Sequence, residues 1–303
     1  MKVIKIVTHN GKFHADDVFA VALVILYLED QNQPCNIERT RDMGVIRDAD
    51  IVVDVGREFD FTKNRFDHHQ GGIAARENGV PYASFGLVWK HIAQNLFDYE
   101  FIQYFDGNFV QLIDAADCGY ELFTPHVKGV SETSYDHLLR ILYAPSWQEE
   151  SLASWDAGFK LAVTFAKEII IKSYNGFKYK KEAEPIIAET VEKSTDKSII
   201  VLDKRVPLVD STYMNSLLMD TNYIISPELD GKFGILALDE VGKIFSPKKP
   251  FPKVWRGLVG KELESASGIK GAGFCHLTGF FAVTENLESA IQFAQKSQSL
   301  TEL

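Results

Sequence analysis

An aspartate followed by two adjacent histidines stands at Asp67-His68-His69, inside Arg65-Phe66-Asp67-His68-His69-Gln70-Gly71-Gly72. A second concentration of titratable groups is His9-Asn10-Gly11-Lys12-Phe13-His14-Ala15-Asp16-Asp17, and Asp54, Asp114 and Asp117 add further carboxylates. Taken singly, each has an ordinary explanation: a helix cap for Asp16 or Asp17, a hydrogen-bonded core histidine for His9. Six or more such groups gathered at one place would cost several kcal/mol of repulsion and desolvation, on the order of the whole stability of a domain. A pair of cations removes that cost. Imidazole and carboxylate donors without thiolates suit Mn²⁺ first, with Mg²⁺, Co²⁺ or Zn²⁺ as alternatives. Two ions roughly 3.5 to 4 Å apart can activate a bridging water and neutralise the oxygens of an in-line displacement at phosphorus. Hydrolysis of a phosphoester is the matching reaction.

The elements that must bring these groups together are legible as an α/β pattern. Lys2 to Thr8 reads as a buried strand that empties into the His9 loop, and Val18 to Leu28 reads as a helix apolar nearly all round. Strands follow near Asn36 to Thr40, at Asp50 to Gly56 and at Asn64 to Phe66. Apolar strands alternating with a helix indicate a parallel sheet, whose ligands gather outside the carboxyl ends of the strands. His9 to Asp17, Asp54 and Asp67 to His69 all fall at such ends. A helix over Ser84 to Phe97 then leads to the amphipathic stretch Asn108 to Ala116, which delivers Asp114 and Asp117 ahead of Gly119. From Ser131 to Ser194 the pattern is helical, with Pro185 opening a further short helix. Strand signals return at Ser198 to Asp203 and Lys232 to Leu238, so residues 1–197 are expected to form one domain with a helical extension and 198–303 a smaller α/β domain.

At 303 residues, 46% hydrophobic and 24% charged, the chain suits two globular domains. A net charge of −10 argues against a surface coated in nucleic acid or lying on an anionic membrane, but leaves room for a locally basic groove. The apolar run Val18 to Leu28 is too short for a bilayer, which needs roughly 20 residues. Cys35, Cys118 and Cys275 are odd in number and far apart, as in a reducing cytosol, and a cytoplasmic location is expected. Val241 to Lys261 carries Lys243, Lys248, Lys249, Lys253, Arg256 and Lys261 with no acidic residue, interleaved with Phe245, Phe251 and Trp255. Cations and flat rings are what a single strand of nucleic acid needs. Taken alone, the stretch is better explained as a solvated loop whose aromatics pack into the core.

The sequence resembles the DHH phosphoesterase superfamily, which includes RecJ-type exonucleases, nanoRNases and family II inorganic pyrophosphatases, and within it the melanocyte proliferating gene branch. The resemblance rests on Thr8 to Asp17, Val52-Val53-Asp54-Val55-Gly56, Arg65 to Gln70, Pro250-Phe251-Pro252-Lys253-Val254-Trp255-Arg256-Gly257-Leu258 and Phe274-Cys275-His276-Leu277-Thr278-Gly279-Phe280, so it covers nearly the whole chain. It implies a parallel-sheet catalytic domain, a smaller substrate-binding domain and a dinuclear metal site. By motif, His9, His14 and Asp54 would hold one ion and Asp16, Asp54, His68 and Asp117 the other, with Asp54 bridging. His69 would face the phosphate, while Asp67 and Asp17 would orient the ligating imidazoles. His14 stands where most of the superfamily has Asp, which should shift metal preference. Asp117-Cys118-Gly119 fits the fourth motif, but Asp114 lies three residues earlier, on the same face of a continuing helix; Asp117 is taken. His276 sits in a thinned version of a glycine-rich substrate motif directly downstream of the basic segment, which brings Lys248, Lys249, Lys253 and Arg256 into the expected substrate cleft.

The leading expectation is a metal-dependent phosphodiesterase, a 3′ to 5′ exonuclease on single-stranded RNA or short oligonucleotides, an activity associated with eukaryotic members of this branch. A phosphatase of small substrates such as pyrophosphate is the alternative among enzymes, and a binding protein with structural ions the alternative outside them. Self-association is left open.

Overall fold

The structure is a computed structural model that describes residues 1–72, 75–124, 127–130, 133–208 and 212–300. The chain divides into two compact units, Met1–Gly176 and Phe177–Leu303.

In the first unit, β1 (Ile4–Thr8) is flanked by β2 (Cys35–Arg39) and β3 (Ile51–Val53), both parallel to it; β5 (Arg65–Phe66) pairs parallel with β3, and β4 (Phe59–Asp60) closes the edge antiparallel, giving the order β2-β1-β3-β5-β4. β1 and β3 are short and rich in β-branched residues, and buried strands of this kind pack between layers. α1 (Ala15–Asp30) begins three residues before the expected start. This puts Asp16 and Asp17 in its first turn, where the partial positive charge of the helix end favours carboxylates. α2 (Met43–Arg47) is a single capped turn after β2.

α3 (Ser84–Ile92) continues through a 3-10 turn, Ala93–Asn95, and α4 (Tyr99–Phe105) runs through a π-helical stretch, Asp106–Val110, into α5 (Gln111–Asp117). α6 (Tyr135–Tyr143) follows, and the expected helical start at Ser131 lies outside the described residues. α7 is one helix from Leu152 to Lys193 with Pro185 inside it, not the start of a new helix. A mid-helix proline costs about 3 kcal/mol. Ala183, Ile187 and Val191, buried against Ile200, Leu202, Met214 and Ile224, offset it. The same packing groups the C-terminal part of α7 with the second unit, ahead of the division expected after residue 197.

The second unit has a mixed sheet of β6 (Ile199–Val201), β7 (Tyr223–Pro227), β8 (Phe233–Ala237), β9 (Ala272–Cys275) and β10 (Phe281–Thr284), in the order β6-β7-β8-β10-β9. Only the β6–β7 pair is parallel. α8 (Thr212–Leu217), α9 (Gly260–Ser267) and α10 (Leu287–Ser299) complete it. Phe293 and Ala290 of α10 join Tyr223, Ile225, Ile235, Phe251 and Trp255 in its core. Both units are thus α/β with parallel pairing, as expected. Among the described residues, no helix is long and apolar enough to cross a membrane.

Candidate metal centre

β1 ends at Thr8, so His9 is the first side chain beyond the sheet, 3% exposed. Its Nδ1 faces the Asn10 carbonyl at 3.2 Å, and a proton held there would leave Nε2 free to bind an ion. Nε2 stands 3.2 Å from Asp17 Oδ2 and 3.3 Å from Asp54 Oδ2. His14 caps α1; its N–H donates to Asp17 Oδ1 at 2.8 Å, and its half-exposed ring points Nδ1 toward Asp117 Oδ1 at 4.0 Å. Asp16 is fully buried, accepting the N–H groups of Phe85 (2.6 Å) and Ser84 (3.1 Å) at the start of α3.

Asp54 follows β3 with φ +53°, in the left-handed region that aspartate tolerates better than most residues. Its Oδ1 accepts from the Ser84 hydroxyl at 3.1 Å and faces His68 Nε2 at 3.4 Å and His69 Nδ1 at 3.5 Å, while Oδ2 faces His9. The two oxygens of one carboxylate are therefore turned to different imidazoles.

His68 Nε2 lies 3.1 Å from Asp117 Oδ2, yet it is buried and makes no hydrogen bond of proper geometry; Nδ1 faces Cys118 Sγ at 3.8 Å. Asp67 is 1% exposed and fully engaged. Its Oδ1 accepts from both the backbone N–H and ring Nδ1 of His69, each at 2.8 Å, and its Oδ2 accepts from the Arg57 N–H at 2.7 Å. Donor atoms of His9, His14 and Asp54, of Asp54, His68 and His69, and of Asp16, His68 and Asp117 come within 4.8 Å of one another in each group. Asp54 is shared by the first two groups and His68 by the last two.

Asp114 is not part of these groups. Its Oδ1 accepts the Gly86 N–H at 2.9 Å, and its Oδ2 lies 2.7 Å from Arg76 Nη1. A Cβ on Gly86 would lie 1.8 Å from Asp114 Oδ2, so the glycine is what admits the carboxylate between α3 and α5. Burial pushes Asp114 up to about 7, against the pull of Arg76.

Burial also raises Asp16 well above the usual carboxylate range, helped by the charges of Asp54 and Asp117, and lifts Asp17 to about 6 against the pull of His9. Asp54 goes the other way: burial opposes ionisation, but the imidazoles of His68 and His9 beside its two oxygens hold it well below that range. Burial would lower both imidazoles, yet Asp117 and Asp54 raise His68, and Asp54 and Asp17 raise His9. The cluster calls for positive charge at its centre. Buried imidazole nitrogens amid carboxylate oxygens are a donor set that fits a divalent ion in place of those protons.

The cluster opens into a cavity of about 720 Å³ lined in part by His9, His14, Asp54, Asp67, His69 and Asp117. Ser84, which touches both Asp16 and Asp54, is a site residue that its sequence context does not mark. The same holds for Arg39, its side chain buried on β2, whose Nη2 donates to the Gly11 carbonyl at 2.9 Å and whose Nη1 pairs with Asp156 at 2.9 Å, bracing the His9 loop. Neither residue belongs to a motif, and only the fold brings them to the site.

The expected substrate residues all lie in the second unit. Lys248 Nζ donates to the carbonyls of Leu218 (2.8 Å), Met219 (3.0 Å) and Thr221 (3.2 Å), so its three donors cap the end of α8. Arg256 Nε donates to the Phe251 carbonyl at 2.7 Å. Lys249 is half-buried and Lys253 exposed. His276 is in the β9–β10 turn, where Nδ1 accepts the Thr278 N–H at 3.2 Å. Phe251 and Trp255 are core, whereas Phe245 is 72% exposed.

A histidine–aspartate cluster at the carboxyl ends of a parallel α/β sheet, lying in a cavity, defines a metal-dependent hydrolase of the phosphoesterase class. Residues 5–298 match the family described as "Uncharacterised protein family (UPF0160)", MYG1_exonuc, and the chain belongs to it. A MYG1 protein of Chlamydia pneumoniae is 29% identical over 285 residues, 93% of this chain and 92% of that one. The MYG1 exonuclease of Homo sapiens is 27% identical over 321 residues, 96% of this chain and 85% of that one. Among solved structures, exonuclease RecJ bound to manganese aligns with 98% of this chain and 91% of that chain at 9% identity and a TM-score of 0.29, a likeness too slight to speak for the site.

Proposed function

We propose that this protein is a phosphodiesterase that removes nucleotides from the 3′ end of RNA or short oligonucleotides with two divalent ions, Mn²⁺ in first place. The observation that carries the reading is Asp54, whose two oxygens face His9 and His68 and which joins two of the three donor groups. His9, His14 and Asp54 are assigned to one ion and Asp16, Asp54, His68 and Asp117 to the other. The mammalian relatives are named as exonucleases, which supports the reaction class. Held by these residues, divalent ions would supply activation of water and charge neutralisation at phosphorus.

The chain's own residues do the rest. Asp67, held by the Arg57 N–H, fixes His69 by its Nδ1, which leaves His69 Nε2 as the atom for a phosphate oxygen or the leaving group. Asp17 grips the His14 N–H and lies beside His9, keeping the α1 start in place. Residues 1–197 are assigned to catalysis and 198–303 to holding the strand through Lys249, Lys253, Arg256 and His276; Lys248 serves as a helix cap. Three scattered thiols support a reducing, cytoplasmic setting.

The test is Asp54→Asn. Metal analysis of the purified variant should show loss of bound ion, and release of labelled nucleotides from the 3′ end of RNA should fall by at least about a hundredfold. A variant that keeps both overturns the reading. Orthophosphate release from pyrophosphate without a ladder from RNA would favour the small-substrate phosphatase, and a well-folded, metal-loaded parent that hydrolyses neither would leave structural ions.

A further inference from the structure

The cavity that holds the metal cluster is not lined by that cluster alone: Lys12, Arg41 and Arg57 line it too, with Met43, Ile46 and Val55. The three cations come from the loops after β1, β2 and β3, the carboxyl ends of three neighbouring strands. Most of the basic side chains around the sheet are spoken for: Arg39 by Asp156, Lys63 by Glu58 and Asp60, Arg76 by Asp106 and Asp114. The side chains of Lys12, Arg41 and Arg57 have no hydrogen bond or ion pair among the described residues.

Their neighbouring acids are engaged elsewhere. Asp42, next to Arg41, caps α2 by accepting the N–H of Gly44 at 2.7 Å. Glu58, next to Arg57, pairs with Lys63 at 3.1 Å. The loops are also built to hold these positions. Gly56 (φ +97°) and Arg57 (φ +56°) are consecutive left-handed residues, and an arginine there is strained unless the surroundings enforce it, as the Arg57 N–H bond to Asp67 does. Arg39 fixes the Gly11 carbonyl one residue before Lys12.

Unneutralised cations around a concave, partly apolar wall focus positive potential, and guanidinium groups match the geometry of phosphate oxygens. We propose that Lys12, Arg41 and Arg57 form a subsite for a second phosphate, adjacent to the one that is hydrolysed, so that the substrate carries at least two phosphates in one chain. This rests on the phosphodiesterase reading of the metal cluster. It also makes the first unit able to grip a strand by itself, in addition to the basic residues of the second.

Two readouts separate this subsite from the reaction. The first is equilibrium binding of a short phosphorothioate oligoribonucleotide to the Mn²⁺-loaded protein, followed by fluorescence anisotropy across a salt series. The double variant Lys12→Ala/Arg41→Ala should bind about tenfold more weakly, and the slope of log Kd against log salt should fall by about 0.7 for each cation removed. Arg57→Asn, which keeps a residue tolerant of the left-handed region, should act in the same direction. Arg41→Lys should restore the salt slope but only part of the affinity. Lys160→Ala, an exposed cation of α7 outside the cavity, should change neither, which excludes a mere net-charge effect.

The second readout compares kcat/KM on the oligonucleotide with kcat/KM on bis(p-nitrophenyl) phosphate, which has one phosphate. The loss in the double variant should be larger on the oligonucleotide by about tenfold. Unchanged binding and salt slope in the double variant, or equal losses on the two substrates, overturns the subsite. A parent that binds in this salt-dependent way but hydrolyses neither substrate sinks the phosphodiesterase reading and leaves the subsite standing.

Discussion

His69 and Asp67 illustrate how much depends on one acceptor oxygen. Asp67 Oδ1 takes both the backbone N–H and the ring Nδ1–H of His69, and Oδ2 takes the Arg57 N–H, so the amide NH2 of Asp67→Asn would have to face a donor at one of the two positions. The variant is expected to keep its metal and lose roughly 10- to 100-fold in kcat, checked by metal analysis beside steady-state kinetics; parallel loss of metal would mean that Asp67 supports the ligands rather than His69. Asp114 carries a different prediction. Its folded-state pKa is raised to about 7 by burial, so the folded protein holds a proton there that the unfolded chain, with an ordinary carboxyl, has released. That contribution is complete below the unfolded pKa of about 3.9 and is lost as pH rises toward 7. Thermal unfolding in chelator should therefore show stability declining from pH 4.5 to 8, and Asp114→Asn, which leaves Arg76 its pair with Asp106 at 2.8 Å, should flatten that decline. An unchanged slope would show that Arg76 keeps Asp114 ionised throughout.

At the scale of elements, the site is set by how helices begin and how closely they pass. α1 starts at Ala15 and α3 at Ser84, and the first N–H groups of α3 bind Asp16, so one helix start holds a carboxylate that the other helix start supplies. The π-helical stretch Asp106–Val110 adds a residue to the turn before α5. Because each residue turns an α-helix by about 100°, it resets the face on which Asp114 and Asp117 emerge, and stretches of this kind recur at functional sites. α7 meets the end of α6 at Gly158, where a Cβ would come within 2.1 Å of the Tyr143 carbonyl oxygen. Gly158→Ala should cost about 1–3 kcal/mol through this overpacking, seen as a lower melting temperature with metal content retained. A variant as stable as the parent would show that α6 can move aside freely.

At the scale of the molecule, all three donor groups lie within Met1–Gly176. Ion binding should stabilise that unit and not Phe177–Leu303. At a thousandfold excess over the dissociation constant, one bound ion adds about 4 kcal/mol, or roughly 8–16 °C for a unit of this size. Calorimetry with Mn²⁺ and with chelator should move one of two transitions and leave the other in place. Both transitions moving together would mean that the units unfold as one.

The sequence by itself determined the chemistry and the order of the elements. That polar groups gather behind strand ends was legible because apolar runs followed by polar loops are local events, whereas the choice of His9, His14, Asp16, Asp54, His68 and Asp117 as ligands rests on the resemblance to the DHH motifs. What stayed illegible depended on contacts between residues remote in sequence. The choice between Asp114 and Asp117 was open on helical spacing; it turns on Arg76 and Gly86, which give Asp114 a buried partner and leave Asp117 beside His68. Lys248 looked like a phosphate ligand in a basic run and is a cap for α8, because its donors meet carbonyls from another stretch of chain. Pro185 looked like a helix start, and side-chain burial on one face carried the helix through it. Lys12, Arg41 and Arg57 are separated in sequence and carry no motif. Only the parallel order of β2, β1 and β3 brings their loops to one cavity, since strand order is set by packing across the sheet and not by the residues of any one strand.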